Sequence, residues 1–310
     1  MKKLFFFAAA ASVMLAACSS DNEEAKVAEK SAIRLSTQSL TGMTRAAKDV
    51  QLTQFAANEN VGIFLAEDNA GSPVTSGTNV TTYAQPLTYV ADGAGNLANT
   101  QYWPQDGNGL HIFGVYPLAA ATAAAAYNAT GVTFSVAANQ TSDANYKASD
   151  LMTGKPTAGN PVTRTTSNVP MTFTHLLTKI DVNLTAGLGF DDVSSAVVSI
   201  LGTKPTTTFS VQSITVGAAS GTAADIVAGT GTATSAIIVP QAIAANTSFL
   251  KVTVGGGDYI YKLPAATTFD AKKCYTFNIT VNKTGLVLTV TTITDWVSAG
   301  DATAGNATLQ

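Results

Sequence analysis

The feature that most constrains the fold of this chain is a two-residue alternation of apolar and polar side chains. It is clearest at residues 132–136, 180–184 and 277–281. Alternation with period two is the pattern of a strand that buries one face. Turn sequences rich in Gly, Asp and Asn separate these stretches, and "GGGD" at 255–258 predicts a hairpin. Many short strands with frequent turns indicate an all-β sandwich or barrel.

Helices are not expected to contribute much. The alanine-rich run at residues 119–126 has high helix propensity, but Thr122 interrupts it and it has no polar face. We therefore predict a loop, or one helical turn at most, in this run.

The chain of 310 residues is long enough for two domains. Residues 154–170 are rich in Gly, Pro, Ser and Thr, and they separate two strand-bearing blocks of similar size. Such segments are typical of domain boundaries. We expect the boundary there, with one domain over 46–165 and the other over 166–310.

The N-terminus has the pattern of a secretory signal. Lys2 and Lys3 precede an apolar run over residues 4–14, and residues 15–18 form a small-residue cleavage site, so the predicted signal peptide is 1–17. The apolar run is too short to span a bilayer. A cysteine directly after the cut is the pattern of a bacterial lipoprotein, so Cys18 is the predicted lipidation site. A plain signal peptide that happens to contain this cysteine is the alternative.

Composition excludes several classes of partner and stabilising bond. Cys274 is the only other cysteine, so the mature chain cannot form an internal disulfide. Loss of Lys2 and Lys3 with the signal changes the formal charge from -3 to -5, which argues against binding to nucleic acid or to an anionic lipid surface. Only 12% of residues are charged, a composition typical of extracellular β-proteins.

The chain offers little material for catalysis. His111 and His175 both lie in apparent strands, where a hydrogen-bonded structural role is expected. Asp191 and Asp192 lie beside a turn, where solvation or capping is expected rather than acid-base chemistry. The plentiful Ser and Thr residues form no G-x-S-x-G motif before a helix. We predict no metal site, no cofactor and no enzymatic activity.

Four aromatic residues cluster in "QYWPQDGNGLHIFGVYP": Tyr102, Trp103, Phe113 and Tyr116. Core packing explains such a cluster. The alternative is a sugar-stacking platform formed by Tyr102, Trp103 or Tyr116, which would make the protein a surface glycan-binding β-sandwich lipoprotein.

Several separated stretches resemble the fimbrillin-like major pilins, also called type V pilins, of anaerobic outer-membrane bacteria. They are "QYWPQDGNGLHIFGVYP", "ASDLMTG", "FTHLLTKIDVNL" and "CYTFNITVNKTGLVLTVTTITDW", in this order. The resemblance covers about residues 15–297. It implies two tandem transthyretin-like β-sandwich domains and the role of a structural pilus (fimbrium) subunit that supports adhesion.

The resemblance also implies a route to the filament. The precursor would be lipid-anchored in the cell outer membrane, cut by an arginine-specific surface protease after the first strand, and polymerised by donor-strand exchange into an extracellular fimbrium. Its partners would be other copies of itself or related pilins, with host or bacterial surface ligands left open. A tip or anchor subunit of the same pilus is a further alternative.

Only three arginines occur: Arg34, Arg45 and Arg164. Arg34 lies in an apparent strand and Arg164 in the interdomain segment. Arg45 follows the strand in a segment suited to cleavage, and the resemblance places the cut between Arg45 and Ala46. Lys48 is a reserve site. Residues 18–45 are then a tether with a removable first strand.

The strand-exchange elements are expected at the two ends of the chain. A strand over about 31–40 would bury Ile33 and Leu35, and its removal would leave an acceptor groove. The donor candidates are Leu286, Leu288 and Val290, which alternate after the preceding strand. Alternatively, this segment is the last strand of the second sandwich, and only the polar tail after residue 297 moves.

Overall fold

The computed structural model describes residues 30–37, 55–74, 85–296 and 306–308. The strands before His175 are β1 (Leu35–Thr37), β2 (Asn60–Asn69), β3 (Ser72–Pro73), β4 (Leu87–Ala91), β5 (Asn96–Ala98), β6 (Leu110–Tyr116), β7 (Val132–Ser135), β8 (Met152–Pro156) and β9 (Val169–His175). Two helices lie among them, α1 (Leu118–Ala124) and α2 (Asp143–Ala148).

The later strands are β10 (Thr178–Ala186), β11 (Val197–Thr203), β12 (Thr206–Phe209), β13 (Ala224–Thr230), β14 (Ala233–Ile238), β15 (Gln241–Ile243), β16 (Ser248–Val254), β17 (Gly257–Lys262), β18 (Thr267–Phe269), β19 (Lys273–Asn282), β20 (Gly285–Asp295) and β21 (Asn306–Thr308). The all-β prediction is confirmed. The expected hairpin at 255–258 joins β16 to β17.

The first sheet closes on itself. Its strand order among the described residues is β3-β2-β4-β5-β1-β9-β8-β6, and β6 also pairs with β2. The ring of strands therefore runs from β2 through β1 and back to β2. The chain leaves this sheet after His175, and residues 157–168 connect two of its strands, β8 and β9.

Two further sheets contain most of the second half of the chain. One has the order β14-β10-β19-β20-β21, and the other has the order β13-β11-β16-β17. Short pairs β7–β12 and β15–β18 complete the described pairings. The number of domains and the boundary at 165/166 stay predictions.

Strands β2 and β6 are buried on both faces, which explains their nearly continuous apolar sequences. In β2, Ile63 and Leu65 belong to the core inside the first sheet. Phe64 and Ala66, on the opposite face, belong to the larger core of the second half of the chain. These two strands therefore join the first sheet to the rest of the molecule.

The prediction of a loop or single turn in the alanine-rich run is wrong, because Leu118–Ala124 form the seven-residue helix α1. Ala121 packs so closely on β2 that a Cβ added at Gly62 would lie 2.1 Å from its Cβ. The helix lacks a polar face, and packing rather than amphipathic patterning stabilises it. The second helix, α2, was also not predicted, and Ser142 caps it by accepting a hydrogen bond from Asn145 N–H.

No helix among the described residues has the length and apolar character needed to cross a membrane.

Candidate functional site

The leading segment, residues 31–37, is inserted between two other strands of the first sheet. β1 pairs antiparallel with β5, where Leu35 lies opposite Leu97. On its other side β1 pairs in parallel with β9, where Leu35 lies beside Val169. The segment therefore closes the ring of strands in its middle and is not added at an edge.

Backbone hydrogen bonds hold the segment on both sides. Ile33 N–H donates to Gln101 O at 2.8 Å, and Val169 N–H donates to Arg34 O at 2.8 Å. On the β5 side, the leading segment pairs again after a short interruption, with residues 101–103. Loss of the segment would leave backbone donors and acceptors of two strands unpaired.

The segment also fills the interior of the first sheet. Ile33, Leu35 and Thr37 are 2%, 1% and 4% exposed, whereas Arg34 between them is exposed. Burying one such aliphatic side chain stabilises a fold by about 1.5–3 kcal/mol. Of the strand expected over about 31–40, the structure has Leu35–Thr37 as β1, with Ile33 and Leu35 in the core, and residues 38–40 lie outside the described residues.

The two strands that flank the leading segment set what could replace it. Without residues 31–37, two strands with facing hydrogen-bonding edges would border a slot that holds alternate apolar side chains. Each buried backbone group left without a partner costs about 1–3 kcal/mol. Such a slot favours occupation by any strand with apolar residues at every second position.

The predicted processing residues Cys18, Arg45, Ala46 and Lys48 lie outside the described residues, so their roles stay predictions. The other two arginines are described. Arg34 is exposed, but its segment is hydrogen-bonded on both sides, and Arg164 is exposed in the connection between β8 and β9.

The predicted donor residues lie on β20, which pairs along its length with β19. Leu286 and Leu288 are half-buried and pack against the larger core. None of the residues of β20 is fully buried. Thr292–Thr294 of β20 pair with β21, so β20 lies one strand from the edge of its sheet.

A bulge in β20 changes the expected alternation. Ile279 pairs with Leu288, but Asn278 pairs with Val290, so Thr289 is the extra residue. An extra residue reverses the faces of the residues that follow it. Val290 accordingly points outward and is 42% exposed, whereas Leu288 faces the core.

Both histidines have hydrogen-bonded carboxylate partners. His111 Nε2 lies 2.8 Å from Asp68 Oδ1, and His175 Nδ1 lies 2.7 Å from Asp150 Oδ1. The second pair is almost completely buried, with side chains 1% and 2% exposed. These contacts fit the expected structural roles.

Of the two adjacent acidic residues, Asp192 caps a turn. Asp192 accepts a hydrogen bond from Ser194 N–H at 2.9 Å at the start of a turn. Hydrogen bonds from Ser194 hold the pKa of Asp192 below its usual value. In the part of the chain that the structure describes, no three His, Cys, Asp or Glu side chains gather in a group able to bind a metal ion.

The aromatic cluster is divided between core and surface. Trp103 and Tyr116 are 2% and 3% exposed, and Phe113 is also buried. Tyr102 alone of the four is exposed, at 39%. Trp103 and Tyr116 therefore present no ring face to a sugar, and the arrangement favours core packing for three of the four residues.

Some residues that shape the site were not found from sequence. Thr37 continues the alternation of Ile33 and Leu35, and its burial follows from that pattern. The choice of β9 as the parallel partner of β1 has no signal in the sequence, because parallel pairing depends on which distant strand the fold brings alongside. The side-chain amides of Asn160 and Gln140, which bind strand edges, also gave no local signal.

The arrangement defines a class of protein: an all-β protein whose first sheet is completed by its own leading segment. The sequence profile of the fimbrillin-like family matches residues 44–296. The chain belongs to the fimbrillin-like family. No curated protein shows detectable sequence similarity to it.

Solved structures with the same fold include two putative cell adhesion proteins. A putative cell adhesion protein from Bacteroides uniformis is 22% identical, with a TM-score of 0.62, and the match covers 86% of this chain and 98% of that one. One from Bacteroides ovatus is 17% identical, with a TM-score of 0.62 and the same coverage. At these identities the likeness shows the fold.

Family membership supports a pilus-type subunit at the cell surface that assembles with other pilin subunits, and it suggests a role without catalysis.

Proposed function

We propose that this protein is a structural subunit of a cell-surface pilus that polymerises by donor-strand exchange. Its precursor is exported as a lipoprotein and anchored in the outer membrane through Cys18. An arginine-specific protease cuts between Arg45 and Ala46 and releases the leading segment, 31–37. The acceptor slot then binds a strand from another subunit, and the filament supports adhesion.

The observation that carries this proposal is the position of β1. A strand at a sheet edge could be lost without opening the core, but β1 lies between β5 and β9, and the leading segment that contains it buries Ile33 and Leu35. Its removal therefore creates a slot that matches one extended peptide. Contacts of this head-to-tail kind do not close on themselves, so they generate fibres.

The proposed donor is the C-terminal segment that begins near Leu286. This part of the chain lies beside the short strand β21, and its side chains are less buried than those of β19. Leu286 and Leu288 have the apolar side chains and the spacing that the slot requires. Val290 would join them on one face if the bulge at Thr289 were straightened in the new site.

The test is cleavage of the purified precursor with an arginine-specific protease, followed by N-terminal sequencing and negative-stain electron microscopy. We expect a product that begins at Ala46 and forms filaments. The variant Arg45→Ala should yield no product that begins at Ala46 and no filaments, and Lys48→Ala should behave as the unmodified protein. Filaments from uncut Arg45→Ala, or a monomeric cleaved product, would refute the proposal.

Deletion of residues 298–310 separates the roles within a pilus. A stalk subunit that donates its tail would lose assembly on deletion. If assembly instead requires Leu286 and Leu288 but tolerates the deletion, β20 is the donor. If neither change affects incorporation into filaments, the subunit is a tip or anchor.

A further inference from the structure

Three side-chain amides of this protein each bind both backbone polar groups of a single residue elsewhere in the chain. Asn160 binds Ile112, Gln140 binds Ile237, and Gln241 binds Lys204. In each case a backbone N–H donates to the amide oxygen, and the amide nitrogen donates to the carbonyl of the same residue. A carboxamide that binds in this way replaces one residue of a neighbouring strand.

Asn160 acts where the first sheet is interrupted. β8 pairs with β6 only at Gly114–Tyr116 and then leaves it. Beyond that point, Ile112 N–H donates to Asn160 Oδ1 at 2.9 Å, and Asn160 Nδ2 donates to Ile112 O at 3.0 Å. Val162 exchanges two backbone hydrogen bonds with Leu110 at 2.8 and 2.9 Å. Residues 160–162 thus complete the partner strand of β6.

Gln140 acts at the edge of the five-stranded sheet. β14 is the first strand of that sheet, and its residue Ile237 donates to Gln140 Oε1 at 2.8 Å. Gln140 Nε2 donates to Ile237 O at 2.8 Å, and the Gln140 side chain is completely buried. The contact is therefore a built part of the core.

The same segment also covers the neighbouring sheet. Gln140 N–H donates to Val227 O at 2.9 Å, and Val227 N–H donates to Ala138 O at 2.8 Å. Val227 belongs to β13, the edge strand of the four-stranded sheet. Residues 138–140 therefore bind one sheet edge through their backbone and the other through the Gln140 amide.

We infer that Asn160 and Gln140 are specificity-determining residues for strand exchange, because they block the edges of β6 and β14 against a guest strand. This inference rests on the proposed function. A sheet edge with unpaired N–H and C=O groups is a template for strand addition. A subunit that polymerises through strands needs one open site, and a second open edge would give branched or disordered aggregates.

The chemistry of the amide explains why a close analogue should fail. A carboxylate has the same shape as a carboxamide but accepts hydrogen bonds only. In Asn160→Asp or Gln140→Glu, one oxygen would still accept the backbone N–H. The other oxygen would face the carbonyl of Ile112 or Ile237 without a hydrogen between them. The contact between side chain and strand edge would therefore lose one hydrogen bond and gain a repulsion.

The experiment measures whether the uncut precursor binds a fluorescent peptide with the sequence of residues 31–40. The unmodified uncut protein should show no binding at micromolar concentration, because its slot is occupied and the edges of β6 and β14 are covered. Asn160→Asp and Gln140→Glu should bind the peptide at micromolar concentration and should self-associate in light scattering. The matched control is Asn183→Asp, the same change at an exposed strand amide that binds the Asn278 side chain and no backbone edge, and it should behave as the unmodified protein.

A measurement on the unmodified protein guards against variants that fail to fold. Native-state hydrogen exchange should protect the Ile112 and Ile237 amides as strongly as those paired between strands, such as Ile279. Rapid exchange at these two amides would overturn the inference, and so would folded variants that neither bind the peptide nor self-associate. Binding of the peptide by the cleaved unmodified protein tests the proposed function separately, since the measurements on the Asn160 and Gln140 variants need no cleavage.

Discussion

The imidazole of His175 lies flat against the indole of Trp296, with ring centroids 4.0 Å apart and planes inclined by 9°. His175 ends β9 of the first sheet, and Trp296 follows directly after β20. Trp296 N–H also donates to Lys272 O at 2.8 Å, and Lys272 N–H donates to Leu177 O at 2.8 Å. The C-terminal end of the proposed donor segment therefore contacts the end of β9, which borders the acceptor slot. It is also linked through Lys272 to Leu177, just after β9.

We predict that Trp296→Ala lowers the free energy of unfolding by about 3–5 kcal/mol, because a ring that is 5% exposed would be replaced by a cavity. Chemical denaturation followed by circular dichroism measures this change. Tyr102→Ala, which removes an aromatic ring that is 39% exposed, is the control and should cost much less. Equal losses for the two variants would mean that the stacked ring is not anchored as described.

Leu35→Ala in the uncut protein should lower the free energy of unfolding by about 2–5 kcal/mol, since Leu35 lies inside the first sheet. The neighbouring Arg34→Ala changes an exposed side chain in the same leading segment and should alter stability by about 0.5 kcal/mol or less. Equilibrium urea unfolding of both variants provides the comparison. If the two variants were equally stable, β1 would not be an integral part of the core.

Gly154→Ala should destabilise the first sheet by about 1–3 kcal/mol through overpacking. A Cβ at Gly154 would lie 2.6 Å from a ring carbon of Phe173, the residue beside it on β9. Combination with Phe173→Leu should recover part of the loss, because the smaller side chain leaves room for the methyl group. A double-mutant cycle from thermal unfolding measures this coupling, and strictly additive losses would contradict the steric explanation.

The turn between β4 and β5 should make stability depend on pH. The Asn96 side chain, together with the Asn96 and Ala94 backbone N–H groups, holds the pKa of Asp92 below its usual value. A depressed folded-state pKa stabilises the fold above the unfolded-state pKa of about 3.9, and this contribution is lost as the pH falls through the folded-state value.

Asp92→Asn should therefore be less stable than the unmodified protein at neutral pH, and the difference should shrink below about pH 4. Urea unfolding across this pH range measures it. The control is Asp106→Asn, in a different turn, the one before β6. Asp106 also accepts a backbone N–H, from Asn108. A difference for Asp92→Asn that stayed constant down to pH 2.5 would contradict the assignment.

Period-two alternation predicted β10 and β19 correctly, because one face of each strand packs in a core and the other does not. The alanine-rich helix α1 escaped prediction, since its stability comes from close packing on Gly62 of β2 and not from an amphipathic pattern. The outward position of Val290 escaped for a related reason. A bulge depends on how two strands pair, and it is not written in either strand alone.

The sequence by itself determined alternating strands such as β10 and β19, the hairpin between β16 and β17 and the apolar residues of the leading segment, because these follow from local backbone preference and side-chain periodicity. The tertiary structure decided that the leading segment lies between β5 and β9 and that Asn160 and Gln140 bind the edges of β6 and β14. Both features join residues far apart in the chain, and the choice of partner among many similar strands depends on the free energy of the whole packed core.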